Sequence, residues 1–420
     1  MPIKKDPFEL SISTEGGYSE LLIKRPEYRE LVTFSQNKIL PIYNWFYYKE
    51  GFSRDLVWNL LNELKIPKDS KIIDPFCGTG TTLLACKQLG YNAIGFDILP
   101  LAVFVSNTKL QSNYDMKILK EKISEISSLK FGPSSLKWTQ PGFIDIKKAF
   151  SRYARNDILF FKEKILRVED EKIRNFLLLG LLSIVSEASN TKKDGGVIKI
   201  VKKRHLAPVR YLLKNRLKKM YKDLKRVPTS KGHAEAHPGD ARNLPLEKEG
   251  IDMCITSPPY LNYVDYTKLY GLELSLLLDN KKELDELRKK SIRSHIGAEY
   301  KRGKKIKSEK LRETLDGVKE IPITSSRVPQ IVEGYFEDMY FSLECLYRVL
   351  KEDAIAAFVV SNTCLPNITI DVDLILAEIS EQVGFKPREI LVANTRWCDV
   401  HGIRKERPVR ESIIILEKST

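Results

Sequence analysis

The stretch CITSPPYLNYVDY, Cys254 to Tyr266, gathers groups that could do chemistry. A short apolar run, Ile251 to Ile255, has the character of a buried strand and stops at Ser257-Pro258-Pro259-Tyr260. Two consecutive prolines can neither continue a ladder nor open an ordinary helix. They fix the backbone, so the Ser257 hydroxyl, the Pro258 carbonyl and the Tyr260 ring are held in set directions. A second constellation lies upstream, where Asp74-Pro-Phe76-Cys-Gly78-Thr-Gly80 follows a strand-like run and opens a helical one. Glycines there let the backbone approach a ligand closely, and a helix N-terminus favours an anionic group. Asp97 ends the next strand-like run, 23 residues after Asp74, where a ribose-binding carboxylate belongs in a nucleoside-binding fold. The turn lacks the third glycine of GxGxxG (position 83 is Leu) and the Lys of a P-loop, which disfavours dinucleotides and nucleoside triphosphates. A ligand with ribose and adenine but no phosphate needs Asp97 for its ribose and a further acceptor for its amino group. Asp240, in PGDARNLPL, is the candidate acceptor.

The elements that must position these groups can be read around them. KIIDPF (71–76) is a short buried strand, CGTGTT a turn, and LLACKQLG a helical stretch closed by Gly90. A strand, YNAIGFD, and a helix from about Leu99 to Leu110 follow. From about 111 to 230 the chain reads as mainly helical and lysine-rich. Strand patterns resume at HAEAHPGDARNLPL and IDMCIT. After a polar block at 277–330 come a helix near 332–350, the strand AIAAFVVSN and a helix at 371–383. PREILVAN and ESIIILEK then form a closing hairpin. The expected fold is α/β: a doubly wound, mostly parallel seven-stranded sheet with an antiparallel last strand and largely helical insertions. Its core comprises 1–110 and 231–420, with a helical insertion at 111–230 and a basic insertion at 277–330.

The 420-residue chain is 42% hydrophobic and 30% charged, and no apolar run approaches a membrane span. MPIKKDPFELSIS is basic but lacks the apolar core of a signal peptide, so the cytoplasm is expected. Six scattered cysteines without a CxxC pair argue against a zinc site or a disulfide framework and read as core or incidental. His233 and His237 are four apart, but on a strand approach that spacing gives no shared metal face, and no metal is expected. The net charge of +15 points to a polyanionic partner, most often nucleic acid.

In their order, DPFCGTGTTLLA, GFD, GD and TSPPY resemble the amino-methyltransferases that act on exocyclic nitrogens of DNA bases. The resemblance implies S-adenosylmethionine as cofactor, with Asp74, Phe76, Gly78 and Gly80 shaping its pocket, Asp97 on the ribose and Asp240 on the adenine. YNWFYYKEGFS (43–53) is similar to the family's N-terminal cofactor motif, with Phe52 and Ser53 as expected contacts. Ser257, Pro258, Pro259 and Tyr260 would be the catalytic tetrapeptide. Glycine turn, large insertion, then tetrapeptide resembles the α-type arrangement, in which target recognition lies between the two. Ser at the first position is typical of cytosine-N4 enzymes, and Asp or Asn of adenine-N6 enzymes. Adenine-N6 methylation is therefore the nearest alternative, ahead of an RNA base methyltransferase or a non-catalytic cofactor-sensing DNA binder. The Ser257 hydroxyl and Pro258 carbonyl would accept the two hydrogens of the exocyclic amine and localise its lone pair, and direct methyl transfer then needs alignment and electrostatics. Tyr260 would stack on a base flipped out of the duplex, and Tyr263 and Tyr266 are candidates to line the same pocket. No cysteine has the Pro-Cys context of a carbon-5 cytosine enzyme.

The implied partner is double-stranded DNA, with a cognate restriction endonuclease as a candidate second partner and a prokaryotic cytoplasm, associated with the nucleoid, as the setting. Residues 202–226 hold eleven Lys or Arg against one acid, Asp223, with apolar positions at helical spacing, and are expected to form an amphipathic helix with a basic face. Residues 281–310 hold twelve basic and five acidic residues. Lys202, Lys203, Arg204 and Arg210 in the first block, and Lys301, Arg302, Lys304 and Lys305 in the second, are the candidate phosphate contacts. SEASNTKKDGGVIK (186–199) is a turn-rich segment that could approach the catalytic pocket.

Overall fold

The structure is a computed structural model that describes residues 11, 17–227, 232–278, 280–299, 303, 306–321, 327–400 and 403–419. Its strands are β1 (Leu22–Lys24), β2 (Lys71–Asp74), β3 (Asn92–Asp97), β4 (Thr191–Asp194), β5 (Val197–Ile200), β6 (Ala234–Pro238), β7 (Ile251–Thr256), β8 (Leu350–Ser361), β9 (Thr363–Leu365), β10 (Ile368–Ile370), β11 (Phe385–Val400) and β12 (Ile403–Lys418). Eight of them form one sheet in the order β1-β11-β12-β8-β7-β2-β3-β6. Strands β6, β3, β2, β7 and β8 run parallel, while β12 is antiparallel to both β8 and β11. The expected seven strands are joined by an eighth. β1 adds in parallel to β11, Leu22 opposite Ile390, and covers an edge that would otherwise be open. Three residues are too few for a period-2 pattern to register, which is why the sequence did not reveal it.

Successive residues of a strand point to opposite faces, and the sheet uses both. Ile72 belongs to one buried cluster and Ile73 to the other, and Ile255 and Cys254 divide in the same way. Strands buried on both sides read as near-continuous apolar runs, as IDMCIT does. The helices Thr81–Leu89 and Pro100–Leu110 cover one face, while Val328–Val349 and Val372–Val383 cover the other. The helices Met116–Ser128, Arg152–Leu166, Glu171–Ile184 and Val209–Arg226 of the first insertion extend the first of these clusters.

Two expectations are corrected here. The basic helix begins at Val209 rather than near 202, because Pro208 caps it and a proline disfavours helix in the residue before it. Its one acid, Asp223, is buried and accepts the Trp45 indole N–H at 3.1 Å. Cys364 and Cys398 are joined by a disulfide across a separation of 34 residues. They sit on β9 and β11, and proximity created by sheet order leaves no mark in local spacing.

Candidate active site

The strand order reverses between β2 and β7, and α/β folds bind ligands outside the carboxyl ends of strands at such a point. A cleft opens there, enclosing about 1000 Å³ with the solvent at its mouth. Of the residues singled out above, Phe52, Asp74, Phe76, Gly78, Asp97, Asp240, Ser257, Pro258 and Pro259 line it. Gly80, Ser53 and Tyr260 are not among its lining residues.

Asp74 is the link between the glycine turn and the tetrapeptide. It is 2% exposed, and one carboxylate oxygen accepts the Thr256 hydroxyl at 2.7 Å and the Phe76 N–H at 3.1 Å. The other oxygen accepts the Thr82 hydroxyl at 2.7 Å. Thr256 immediately precedes Ser257, so a single carboxylate sets the tetrapeptide against the turn. Burial pushes its pKa up to about 6 despite these hydrogen bonds. Asp97, also pushed up to about 6 by burial, accepts the N–H groups of Gly78 and Leu99, both at 2.9 Å. Gly78 and Gly80 have φ of +50° and +79°. A Cβ on Gly80 would lie 2.8 Å from Ser106 Oγ, which itself donates to the Gly78 carbonyl at 2.9 Å. Gly80 therefore shapes the turn from beneath.

Ser53 is fully buried as the N-cap of the helix Arg54–Glu63 and accepts the Leu56 N–H, which explains its place outside the cleft. Asp240 lines the cleft, but its carboxylate is already gripped by Arg242, with contacts of 2.6 to 3.1 Å. Tyr266 lines the cleft, whereas Tyr263 packs against the sheet's second cluster.

Sequence reasoning missed several neighbours. Tyr48 and Glu50 line the cleft. The Tyr48 ring stacks on Tyr270 at 4.6 Å, and Tyr270 donates its hydroxyl to Glu50 at 2.6 Å. Both lie within the N-terminal motif, where alternating aromatics were the available signal. A second wall, Lys290 to His295, comes from the basic insertion. It is anchored by Arg242, which donates to the Lys290 carbonyl at 2.6 Å, and by Arg293, paired with Asp338 at 2.7 Å. His295 is buried, and its Nδ1 accepts the Gly297 N–H at 3.0 Å, leaving Nε2 to face the Ser291 hydroxyl at 2.9 Å. Burial lowers its pKa and keeps the ring neutral. Behind the tetrapeptide, the Tyr260 hydroxyl interacts with Ser257 and donates to Glu411 on β12 at 3.3 Å. Burial raises the Glu411 pKa.

Of the candidate phosphate contacts, Lys202 and Arg204 are exposed, Lys203 donates to the Ser186 carbonyl at 3.3 Å, and Arg210 is half-buried beside Asp157. Lys301, Arg302, Lys304 and Lys305 lie outside the described residues. Among the described residues no three His, Cys, Asp or Glu side chains form a metal-sized cluster. No described helix is long and apolar enough to cross a membrane.

The strand order with its antiparallel β12, and a glycine turn followed by a strand-end carboxylate at the switch point, are those of a Rossmann-like methyltransferase fold. A family model described as DNA methylase matches residues 26–106. The chain is 29% identical to the Type II methyltransferase M.BsoBI of Geobacillus stearothermophilus over 450 residues, which cover 93% of this chain and 88% of that protein. It is 28% identical to the Type II methyltransferase M.AvaI of Nostoc over 413 residues, 87% of this chain and 84% of that one. A solved SAM-dependent methyltransferase from Methanosarcina mazei aligns at a TM-score of 0.32 and 10% identity, covering 86% of this chain and 97% of its own. The matched model and these relatives support the DNA amino-methyltransferase family, with S-adenosylmethionine as methyl donor and DNA as substrate.

The donor set of the cleft fits that cofactor. Carboxylates of Asp97 and Asp240 stand among the apolar walls of Phe52, Phe76, Ile98 and Leu99, and the glycine turn presents no lysine for a phosphate.

Proposed function

We propose that the protein methylates the exocyclic N4 of cytosine in DNA, as the modification enzyme of a type II restriction system. The observation that carries this is Ser257 at the head of the tetrapeptide, lining the cleft beside Pro258 and Pro259. The bound cofactor supplies an electrophilic methyl group. In this reading Asp97 holds its ribose and Asp240 its adenine amino group, with Phe52, Phe76 and Gly78 forming the walls, and Gly80 and Ser53 setting the backbone behind them. The Ser257 hydroxyl and Pro258 carbonyl accept the two amine hydrogens, which draws the nitrogen toward a tetrahedral geometry and localises its lone pair. No covalent intermediate is required, and the rate advantage comes from alignment and fixed dipoles. Tyr260, its hydroxyl held by Glu411, offers its ring face to the flipped base.

Residues 1–110 and 231–420 form the catalytic domain, 111–230 the target-recognition insertion, and 277–330 an insertion that contributes a wall of the cofactor cleft. A cognate endonuclease and a cytoplasmic setting accompany this reading, and M.BsoBI and M.AvaI carry the Type II designation that supports it. Mass spectrometry of nucleosides from DNA of an expressing host tests it. N4-methylcytosine is expected. N6-methyladenine without it would transfer the same site to adenine and refute the assignment made from Ser257.

A further inference from the structure

The insertion at 111–230 is not helical throughout. It carries the antiparallel ribbon β4–β5, in which Thr191 pairs with Ile200, Lys192 with Lys199, Lys193 with Ile198 and Asp194 with Val197. Facing residues of an antiparallel pair share one side of the ribbon. One side therefore carries Thr191, Lys193, Ile198 and Ile200, and the other Lys192, Asp194, Val197 and Lys199. From Thr191 to Ile198 the first side is turned to the body of the protein, while Ile200 at its end is exposed. Thr191 is buried, and the Lys193 ammonium lies 3.8 Å from the centre of the Tyr270 ring and 3.2 Å from the buried Glu273 carboxylate. Tyr270 stacks in turn on Tyr48 of the cleft wall.

The tip is braced on the catalytic loop itself. Gly196 lies so close to Val264, just past the tetrapeptide, that an added Cβ would come within 2.7 Å of a Val264 methyl. The ribbon thus stands beside the place where a base would enter. Its other side faces solvent, with Lys192, Asp194, Val197 and Lys199 all exposed and Val197 49% accessible. Lys202 and Arg204 follow directly, exposed and in no ion pair with a described residue. The one acid, Asp194, pairs with Lys199 at 2.8 Å in an exposed contact that contributes little and yields readily to a phosphate.

We propose that the ribbon β4–β5 is a duplex-contacting element, its outer face set against DNA beside the target base. Lys192, Lys199, Lys202 and Arg204 meet phosphates, and Val197 meets sugar and base edges. The charge balance of this face selects a polyanion, and a two-stranded ribbon has the dimensions that the major groove admits. The inference rests on DNA as the substrate and not on which base is methylated.

The test is the variant Lys192→Glu/Lys202→Glu/Arg204→Glu, read by fluorescence anisotropy of a labelled mixed-sequence duplex across a salt series. Each lost phosphate contact flattens log K against log salt by about 0.9, so a change of roughly 2 to 3 and an affinity loss of roughly tenfold or more are expected. Binding of S-adenosylhomocysteine, followed by calorimetry, is expected to stay at the wild-type value. Val197→Ser, which leaves the charge intact, is expected to weaken duplex binding without changing the slope. Wild-type affinity and slope in the charge variant would overturn the proposal. So would a loss confined to single-stranded RNA, or a wild-type dimer that the variant dissolves while still binding duplex, since these assign the ribbon to RNA or to a second copy. N6-methyladenine in the nucleoside analysis removes the cytosine assignment and leaves the ribbon's role standing.

Discussion

Replacing Asp74 by Asn probes the join between the two halves of the site. The carboxylate is 2% exposed and its pKa is pushed up from 3.8 to about 6, so the folded state favours the neutral form. The sign follows directly. Below pH 3.8 the folded and unfolded chains are both protonated and no penalty exists. The penalty grows as pH rises and is complete above about pH 6. A shift of about two units corresponds to roughly 3 kcal/mol of lost stability at neutral pH. Asn removes that penalty while its oxygen still accepts from Thr256 and Phe76. The Thr82 hydroxyl, which loses its acceptor, can turn to the Ile255 carbonyl, 3.4 Å away. Urea denaturation of wild type and Asp74→Asn at pH 4 and at pH 7.5 is the assay. Asp74→Asn is expected to gain about 2 to 3 kcal/mol relative to wild type between the two, because the titration of Asp97 is common to both proteins. Asp74→Ala instead strands the buried Thr256 hydroxyl and the Phe76 N–H, at about 1 to 3 kcal/mol each, and is expected to lose methyl transfer as the tetrapeptide loosens. A stability difference between wild type and Asp74→Asn that stays flat with pH would refute the account of a charge held in a buried site.

Gly80→Ala forces a Cβ against Ser106 at a φ of +79°, and a loss of at least about 1 to 2 kcal/mol in thermal unfolding is expected, together with weaker cofactor binding by calorimetry. Trimming the obstacle in Gly80→Ala/Ser106→Gly is expected to restore only part of it, because the backbone conformation stays unfavourable. Glu411→Ala frees the Tyr260 hydroxyl, so kcat is expected to fall several-fold with cofactor affinity unchanged, while Glu411→Gln, which still accepts, recovers most of the rate. Equal rates in the Ala and Gln variants would show that Glu411 does not hold the ring.

What could be read from the sequence is what the chain encodes locally. The strands ending at Asp74, Asp97 and Thr256 are apolar runs halted by Pro and Gly signals, and their alternation with helical stretches already implied a doubly wound sheet with candidate ligand groups at its strand ends. The hairpin of β11 and β12 was visible in outline, although its strands run to sixteen residues each, because polar residues in NTRWCDV and IRKERPVR hide the extension. What remained hidden depends on long-range placement. Lys290 to His295 read as part of a polar, basic block set toward DNA, and it is Arg242 and Asp338 that hold them over the cleft. Glu411 is one acid at the head of an apolar strand, and nothing nearby signals a tyrosine 151 residues away. Ser53 matched a motif, but its oxygen is committed to a helix end.

The position of β12 has a consequence for how the enzyme is made. This strand is last among those of the sheet in chain order, yet it lies between β8 and β11 and brings Glu411 behind Tyr260. While a ribosome is still translating it, β11 has no route into the sheet and the Tyr260 ring has no brace. The glycine turn and Asp97 are emitted long before. Synthesis therefore proceeds with the sheet incomplete until β12 emerges. A chain truncated by premature termination within β12 would be unable to mark DNA, however well its earlier helices had folded.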